Sequence, residues 1–318
     1  MTVIALDVGG TSMKGAIVSG DTVLETERRP TDRERGPEVV VDAILDFAAD
    51  LKTRAVNRGE PPVAAGLALP GVVDDATGTA VRSANIGWEN VPIRKLAAER
   101  LDVPVAIAHD VRTGGIGEAV RGAGRDTTDF LFLPIGTGIA AAVMIDGAPY
   151  AGATSWGGEI GHIVVRPGGE PCACGAHGCL ETYASAASIS RRYAAPARSS
   201  IGIWETEPPL AEPPVPAETV IERAEAGDPV AERVWTEALD TLADALATAT
   251  MLLDPSIIVI GGGLAEAGER LFTPLTTRLT DRLPLRPPPP LVPAQLGPEA
   301  AMHGAAVLAY QTAAAHEN

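Results

Sequence analysis

Near its start the chain reads Val3-Ile-Ala-Leu-Asp7-Val-Gly9-Gly10-Thr11-Ser12-Met-Lys14-Gly-Ala-Ile-Val18, in which a glycine turn separates two apolar runs. Short apolar runs bounded by glycine predict two strands joined by a tight turn. Glycine lets backbone N–H groups approach an anion closely, and two hydroxyl side chains follow, so the turn could bind phosphate. An ordinary hairpin turn is the alternative, because the Gly-Lys-Ser/Thr ending of a P-loop is absent.

Two further glycine turns follow apolar runs later in the chain. Phe130–Ile135 leads into Gly136-Thr137-Gly138 and then Ile139–Ile145, which repeats the strand–turn–strand pattern. The third turn, Gly261-Gly262-Gly263, follows the β-branched run Ile257–Ile260. Two hairpins of one kind indicate a duplicated architecture with a cleft between its halves. Three such turns at strand ends favour a nucleoside triphosphate as the ligand.

Elsewhere apolar spacing typical of strands alternates with spacing typical of helices, which predicts an α/β protein. Helices are predicted at Val39–Leu51, Ile93–Leu101, Arg112–Arg121, Ala184–Tyr193, Val220–Ala226, Val230–Leu253, Leu264–Leu283 and Ala300–Ala315. Further strands are predicted at Thr22–Arg28, Val63–Leu69, Val103–Ala108 and Leu291–Leu296. The proline-rich Ala195–Pro216 predicts a loop or lid, because proline does not continue a helix or a central strand.

All three cysteines lie in Cys172-Ala-Cys174-Gly-Ala-His-Gly-Cys179-Leu-Glu181, shortly after Gly157-Gly-Glu159-Ile-Gly-His162. Three thiolates and one imidazole form a complete tetrahedral ligand set for Zn²⁺, which predicts a structural zinc site. Three unrelated buried cysteines with a surface histidine are the alternative. The carboxylates of Glu159 and Glu181 flank the cluster, which indicates that the metal supports a site for a polar ligand.

Charge and composition exclude several classes of function. The 318 residues carry a formal net charge of −16 without a basic cluster, so nucleic acid is not the expected partner. No apolar run reaches membrane-spanning length, and we expect no membrane association. Three cysteines cannot all form disulfides, and no apolar signal segment precedes Val3. We therefore expect a reducing, cytoplasmic location.

The strand Val103–Ala108 delivers His109-Asp110 at its carboxyl end, where loops often present reactive groups. A carboxylate there could take a proton from an alcohol as a general base. The alternative is structural, because Asp is also favoured as the N-cap of the helix that follows.

Together these motifs resemble the ROK (repressor, open reading frame, kinase) sugar kinases over nearly the whole chain. The resemblance rests on Asp7–Lys14, Leu69–Val73, Asn85–Trp88, Asp110, Gly136–Gly138, Gly157–His162, Cys172–Glu181 and Gly261–Gly263. It implies a two-lobed actin-like (ribonuclease H-like) ATPase fold with a cleft between the lobes and a zinc-braced loop. The expected lobes are residues 1–108, with the helix 300–318 packing back on them, and residues 109–299.

The resemblance implies ATP-dependent phosphorylation of a hexose at its 6-hydroxyl, with glucose as the first candidate and Asp110 as the base. The residues expected at the sugar are Gly71, Asn85, His109, Glu159, His162 and Glu181. The residues expected around ATP are Gly9, Gly10, Thr11, Lys14, Thr137, Gly138, Gly262 and Gly263. The expected zinc ligands are His162, Cys172, Cys174 and Cys179. Mg²⁺ would bridge the ATP phosphates, and the chain would form a homodimer or homotetramer.

The sequence departs from the family pattern around the base. Most members have Asn directly before the base and Ala-Asn after it, whereas this chain has His109 before it and Val111-Arg112 after it. Because that first Asn contacts the sugar, kinases of N-acetylglucosamine or N-acetylmannosamine stay open as alternatives. A sugar-sensing regulator without kinase activity is a further alternative. We expect no helix-turn-helix repressor, because only Met1–Leu6 precede the first glycine motif.

Overall fold

The computed structural model describes residues 1–194 and 215–317, and in that part strands alternate with helices as predicted. The strands are β1 (Thr2–Val8), β2 (Ser12–Ser19), β3 (Thr22–Pro30), β4 (Pro62–Leu69), β5 (Val72–Asp74), β6 (Thr79–Arg82), β7 (Glu89–Val91), β8 (Val105–His109), β9 (Phe130–Pro134), β10 (Ala142–Ile145), β11 (Ala148–Pro149), β12 (Ile257–Gly261) and β13 (Leu291–Pro293). The helices are α1 (Pro37–Asn57), α2 (Ile93–Leu101), α3 (Asp110–Arg121), α4 (Glu181–Ala184), α5 (Ala186–Ala194), α6 (Ala217–Glu225), α7 (Pro229–Leu253), α8 (Glu269–Arg282) and α9 (Ala300–Glu317). All but the last two residues of the predicted loop or lid, Ala195–Pro216, lie outside the described residues.

The chain divides into two compact units. The first comprises residues 1–128, 142–158 and 295–318, and the second comprises residues 129–141 and 159–294. Asp110, the predicted base, and the whole of α3 belong to the first unit. The lobe boundary expected after residue 108 stays a prediction.

The first unit contains a five-stranded sheet in the order β3-β2-β1-β4-β8. Strands β1, β4 and β8 are parallel, and Asp7 pairs with Ala68 while Leu69 pairs with His109. Because the carboxyl ends of parallel strands meet at one edge of a sheet, Asp7 and His109 come to the same edge. The sheet thereby brings together residues that are about one hundred positions apart in the sequence.

Helices cover both faces of this sheet, which explains why the run from Val3 to Leu6 in β1 is apolar and buried without alternation. Ile4 and Leu6 pack with Phe47 of α1 on one face, and Val3 and Ala5 pack with the alanines of α9 on the other. The hydroxyl of Tyr310 in α9 also donates to the carbonyl oxygen of Val18 at 3.1 Å. The last helix therefore packs on the strands that begin the chain.

Helices α3 and α9 approach each other closely through glycine. A Cβ on Gly117 would overlap the carbonyl oxygen of Ala300, and one on Gly304 would overlap that of Thr113. The glycines that reduce the helix propensity of α3 are thus needed for this packing. Tertiary contact stabilises the helix where local propensity is weak.

In the second unit β12 pairs in parallel with β9 and with β13. The long helix α7 buries Val234, Leu239 and Leu246, and its N-terminus is capped by Asp228, whose carboxylate accepts from two backbone N–H groups. In the described part of the chain, no helix is both long and apolar enough to span a lipid bilayer.

Several predicted elements differ from the structure. The strand predicted at Ile139–Ile145 begins only at Ala142, and the helix predicted at Val39–Leu51 extends to Asn57. The helix predicted at Leu264–Leu283 is a 3₁₀ turn followed by α8, separated at Gly268, whose φ of +57° leaves the helical region. The helix predicted at Ala184–Tyr193 is divided at Ser185, whose extended backbone separates α4 from α5. The last strand is shorter than predicted and ends at Pro293. The short strands β5, β6 and β7 were not predicted.

Candidate active site

The first phosphate turn joins β1 to β2. The N–H of Gly9 donates to the carbonyl oxygen of Ser12 at 3.0 Å, which closes the turn, and Thr11 is exposed at its tip. The ammonium of Lys14 lies 3.8 Å from the carboxylate of Asp7 and donates to the carbonyl oxygen of Pro298. The turn therefore presents backbone N–H groups, a hydroxyl and a cation together, as a phosphate site requires.

The second and third glycine turns adjoin each other in the second unit. Thr137 is exposed in a turn closed by the N–H of Gly136, which donates to the carbonyl oxygen of Gly138 at 3.0 Å. Ile135 receives a hydrogen bond from Leu264 and donates one to Gly261. These bonds join the two turns.

A cavity of about 240 Å³ opens beside the third turn. Gly263 lines it, together with Ala186, Ile221, Leu264 and two glutamates. Gly262 directly precedes Gly263 on this side of the unit. The cavity is a concave, partly apolar space of the kind that accepts a flat base such as adenine.

The carboxylate of Asp110 lies at the first residue of α3. His109 occupies the N-cap position, so the N-cap alternative for Asp110 is wrong. One oxygen of Asp110 accepts from the N–H of Val111 at 2.7 Å and lies 3.3 Å from Nε2 of His109. Burial raises the pKa of Asp110 to about 6, although the Val111 N–H and the charge of Arg112 act in the opposite direction. The side chain still exposes 29% of its surface, so a substrate can reach it.

Asp7 is a second carboxylate of the site, and the sequence reasoning did not assign it a role. Burial and, to a smaller extent, the charge of Asp110 raise the pKa of Asp7 to about 6, although Lys14 and Arg28 act in the opposite direction. The sheet register brings the two residues to one edge, since Asp7 pairs with Ala68 and Leu69 pairs with His109. The position of Asp7 just before the glycine turn was the signal that could have identified it. Carboxylates beside a phosphate turn are suitable donors for Mg²⁺.

Arg112, the other departure from the family pattern, is almost fully buried behind the base. Its guanidinium donates to the carbonyl oxygen of Val73 at 3.0 Å, the carboxylate of Asp75 at 3.1 Å and the carbonyl oxygen of Ser155 at 3.3 Å. These bonds hold the β5 hairpin and the segment before Gly157 against α3. Arg112 thus has a structural role that asparagine is too short to fill in the same way.

Two residues expected at the sugar lie in connections of the first unit. Gly71 lies in the turn between β4 and β5, and Asn85 is exposed in the turn between β6 and β7. A Cβ built on Gly10 would lie 3.8 Å from the Cβ of Asn85. The structure therefore brings a predicted sugar residue next to the first phosphate turn.

The other expected sugar residues lie in the second unit. Nε2 of His162 is 4.0 Å from a carboxylate oxygen of Glu159. The carboxylate of Glu181 accepts from the N–H of Ile139 at 2.9 Å, and a Cβ on Gly138 would collide with it. Glu181 thus connects the end of the cysteine segment to the second phosphate turn.

The four predicted zinc ligands lie together. The ligand atoms of His162, Cys172, Cys174 and Cys179 are all within 4.8 Å of one another. Nδ1 of the histidine is 3.6 Å from Sγ of Cys172, and the Sγ atoms of Cys174 and Cys179 are 3.7 Å apart. Tetrahedral zinc with normal bond lengths separates sulfur from nitrogen by about 3.6 Å and sulfur from sulfur by about 3.8 Å. The donor set fits zinc, and Nε2 of the histidine faces Glu159 instead.

Backbone turns within the segment give the cluster its shape. The N–H of Gly175 donates to the carbonyl oxygen of Cys172 at 2.9 Å, and that of Cys172 to Ala176 at 2.8 Å. Gly178 has a φ of +81°, and a Cβ there would overlap the carbonyl oxygen of Arg166. Only glycine permits this close approach, which directs the next residue, Cys179, inward.

The pKa values of the three thiols shift in different directions, and hydrogen bonding to the N–H of Ala176 is the main cause that lowers that of Cys174. Burial raises the pKa of Cys172, and it raises the pKa of Cys179 to about 12. A thiolate in such surroundings needs a positive charge nearby, which a divalent cation supplies. All three cysteines are free thiols.

A model of the ROK family matches residues 3–312. The chain belongs to the ROK family. It is 34% identical to a glucokinase of Thermotoga maritima over 287 residues, which cover 88% of each chain. The structure is similar to a ROK hexokinase from Thermus thermophilus, with a TM-score of 0.81, 32% identity and full coverage of both chains.

A ROK family glucokinase from Streptomyces griseus, solved with glucose and AMPPNP, is also similar. Its TM-score is 0.77 at 27% identity, covering 98% of this ROK chain and all of the relative. These likenesses confirm the predicted family and its actin-like ATPase fold.

Proposed function

We propose that this ROK protein transfers the γ-phosphoryl group of ATP to the 6-hydroxyl of a hexose, with glucose as its substrate. The observation that carries the proposal is the pair of carboxylates at one sheet edge. Asp110 directly follows β8 as the first residue of α3, and Asp7 is the next-to-last residue of β1, two positions before the glycine turn. The similarity to two glucokinases and a hexokinase supports the same reaction.

In the proposed reaction Asp110 accepts the proton of the 6-hydroxyl while the sugar oxygen attacks phosphorus in line. Backbone N–H groups of the turns at Gly9–Thr11 and Gly136–Gly138 hold the phosphates, with Lys14 and the hydroxyls of Thr11 and Thr137 nearby. Mg²⁺ bound with ATP supplies charge compensation for the phosphates, and Asp7 would hold it. The cavity beside Gly262 and Gly263 would take the adenosine.

The zinc site has a structural role in this proposal. Four protein ligands, His162 with the three cysteines, fill a tetrahedral coordination sphere, so the metal would not activate water. It would fix the segment that ends at Glu181 and turn Nε2 of His162 and the carboxylate of Glu159 toward ring hydroxyls. The free thiols support the expected cytoplasmic location, and the expected homodimer or homotetramer stays a prediction.

A kinase of an N-acetylated amino sugar is the second candidate, and one observation favours it. His109, buried beside the base, replaces the asparagine that contacts the sugar in most family members. Its larger ring changes the pocket next to the reacting hydroxyl. Within residues 1–194 and 215–317, however, none identifies a pocket for an acetyl group, so the unmodified hexose is preferred.

A substrate panel tests the proposal. We expect Mg²⁺-dependent ADP release from ATP with glucose, at a higher kcat/KM than with mannose, N-acetylglucosamine or N-acetylmannosamine. A preference of about tenfold for an acetylated sugar, equivalent to about 1.4 kcal/mol in transition-state binding, overturns the glucose assignment. Absence of turnover with every sugar overturns the kinase assignment. The His109→Asn variant should change the ranking if His109 sets the choice of sugar, and an unchanged ranking shows that it does not.

A further inference from the structure

The segment that follows β3 packs directly on the first phosphate turn. Thr31 is fully buried there. Its N–H donates to the carbonyl oxygen of Thr11 at 3.0 Å, and its hydroxyl donates to the carbonyl oxygen of Gly9 at 2.6 Å. Two hydrogen bonds from one residue fix this segment to both sides of the turn. The residues directly after Thr31 are therefore held close to the turn that is proposed to bind phosphate.

Arg33 follows Thr31 by two residues and begins a short 3₁₀ turn, Arg33–Arg35. A Cβ built on Gly10 would lie 4.0 Å from Nη1 of Arg33 and 3.8 Å from the Cβ of Asn85. The guanidinium and Asn85 thus border the same space in front of the glycine. That space lies between the phosphate turn and a residue expected to hold the sugar, where a transferred phosphoryl group would pass.

The contacts of Arg33 leave its guanidinium able to bind another anion. Among the described residues its ion pair is with the neighbouring Glu34, at 3.6 Å from Nε, and both side chains are exposed. Such exposed pairs are worth at most about 1 kcal/mol. Arg54, elsewhere in the first unit, differs in kind, because it contacts Glu25, Glu27 and Asp50 together. Arg54 therefore contacts three carboxylates, whereas the ion pair of Arg33 is with one.

We propose that Arg33 is a catalytic residue that contacts the phosphoryl group during its transfer. This inference rests on the proposed kinase function. The bond from the γ-phosphorus to the ADP oxygen breaks, the bond to the sugar oxygen forms, and the sugar proton goes to Asp110. Arg33 keeps its protons throughout and offers two N–H groups to the oxygens on which negative charge is spread. Arginine suits this role because the N–H groups of its planar guanidinium match the spacing of two phosphate oxygens.

Substitution of Arg33 should therefore reduce turnover more than binding. We expect Arg33→Ala to lower kcat by about 100-fold, the usual effect of removing one donor to a transition-state charge. The KM values for ATP and the sugar should stay within about twofold. Arg35→Ala is the matched control, because Arg35 lies in the same 3₁₀ turn, is 67% exposed and pairs with Asp32. It should retain the parental kcat, and Arg33→Lys should recover part of the loss.

A transition-state analogue separates catalysis from a structural role. Aluminium fluoride with ADP, Mg²⁺ and the sugar mimics the planar phosphoryl group, and the parent should bind ADP more tightly in its presence. The parent should gain about 100-fold in ADP affinity from the analogue. Arg33→Ala and Arg33→Gln should lose this gain, whereas their affinity for ADP alone should equal that of the parent. An unchanged gain, or an unchanged kcat, overturns the inference while leaving the kinase assignment in place. A parent without activity on any hexose overturns the proposed function itself and the inference with it.

Discussion

The cysteine segment and the surroundings of Asp110 are built in opposite ways. Three of the four zinc ligands fall within eight consecutive residues, and hydrogen bonds inside that segment set their geometry. The base instead receives its environment from β1, from the loop after β5 and from α3, through Asp7, Asp75 and Arg112. One site is specified locally and the other by the sheet. The contrast predicts that a substitution in either site will leave the structure of the other site unchanged.

The largest effect is expected at the base. Asp110→Asn keeps the size of the side chain and removes the proton acceptor, so kcat should fall by about 10²–10⁴. Sugar binding, measured by calorimetry, and zinc content should be those of the parent, because the cysteine segment is independent of α3. Asp102→Asn is the control, since Asp102 is exposed just before the strand that leads to the base and has a φ of +47°, which asparagine tolerates. Turnover near the parental rate would show that Asp110 is not the base.

A smaller effect is expected from the zinc site. Cys174 is exposed, so Cys174→Ser removes a ligand with little change in packing. We expect loss of the one zinc per chain, read by elemental analysis, and a decrease in kcat/KM of about ten- to a hundredfold through Glu181 and His162. Chelation of the parent should have the same effect. Ala173→Ser, at the exposed neighbouring position, should keep both zinc and activity. Full zinc content and activity in Cys174→Ser would exclude this ligand set.

The two regions also differed in how far the sequence could predict them. The cluster of His162 with the three cysteines was predicted because three of its four residues lie in one short segment, and its occupation by zinc stays a prediction. No role was predicted for Asp7 or Arg33, because the roles proposed for them depend on their positions near Asp110 and Gly10, which only the folded sheet produces. The side-chain partners of Arg112 could not be predicted for the same reason.

The secondary-structure elements also differ in how well the sequence predicted them. Long periodic segments such as α7 and β4 agreed closely with prediction, since their apolar spacing reports burial directly. The strands β5 and β7 have three residues each, too few for a period to show, and both were missed. The break at Ser185 has no glycine or proline to mark it. These elements form because the tertiary structure holds them.

The most direct test of the base is the pH dependence of kcat/KM for glucose in the unmodified chain, with MgATP saturating at every pH. Burial raises the pKa of Asp110 to about 6, and the base works only when ionised, so activity should be constant above pH 7 and decrease below about 6. Well below pH 6 the decrease should approach tenfold per pH unit for Asp110 alone, and it should be steeper if Asp7, with its similar pKa, must also be ionised. A profile that stays flat down to pH 5 would contradict a buried carboxylate base at this site.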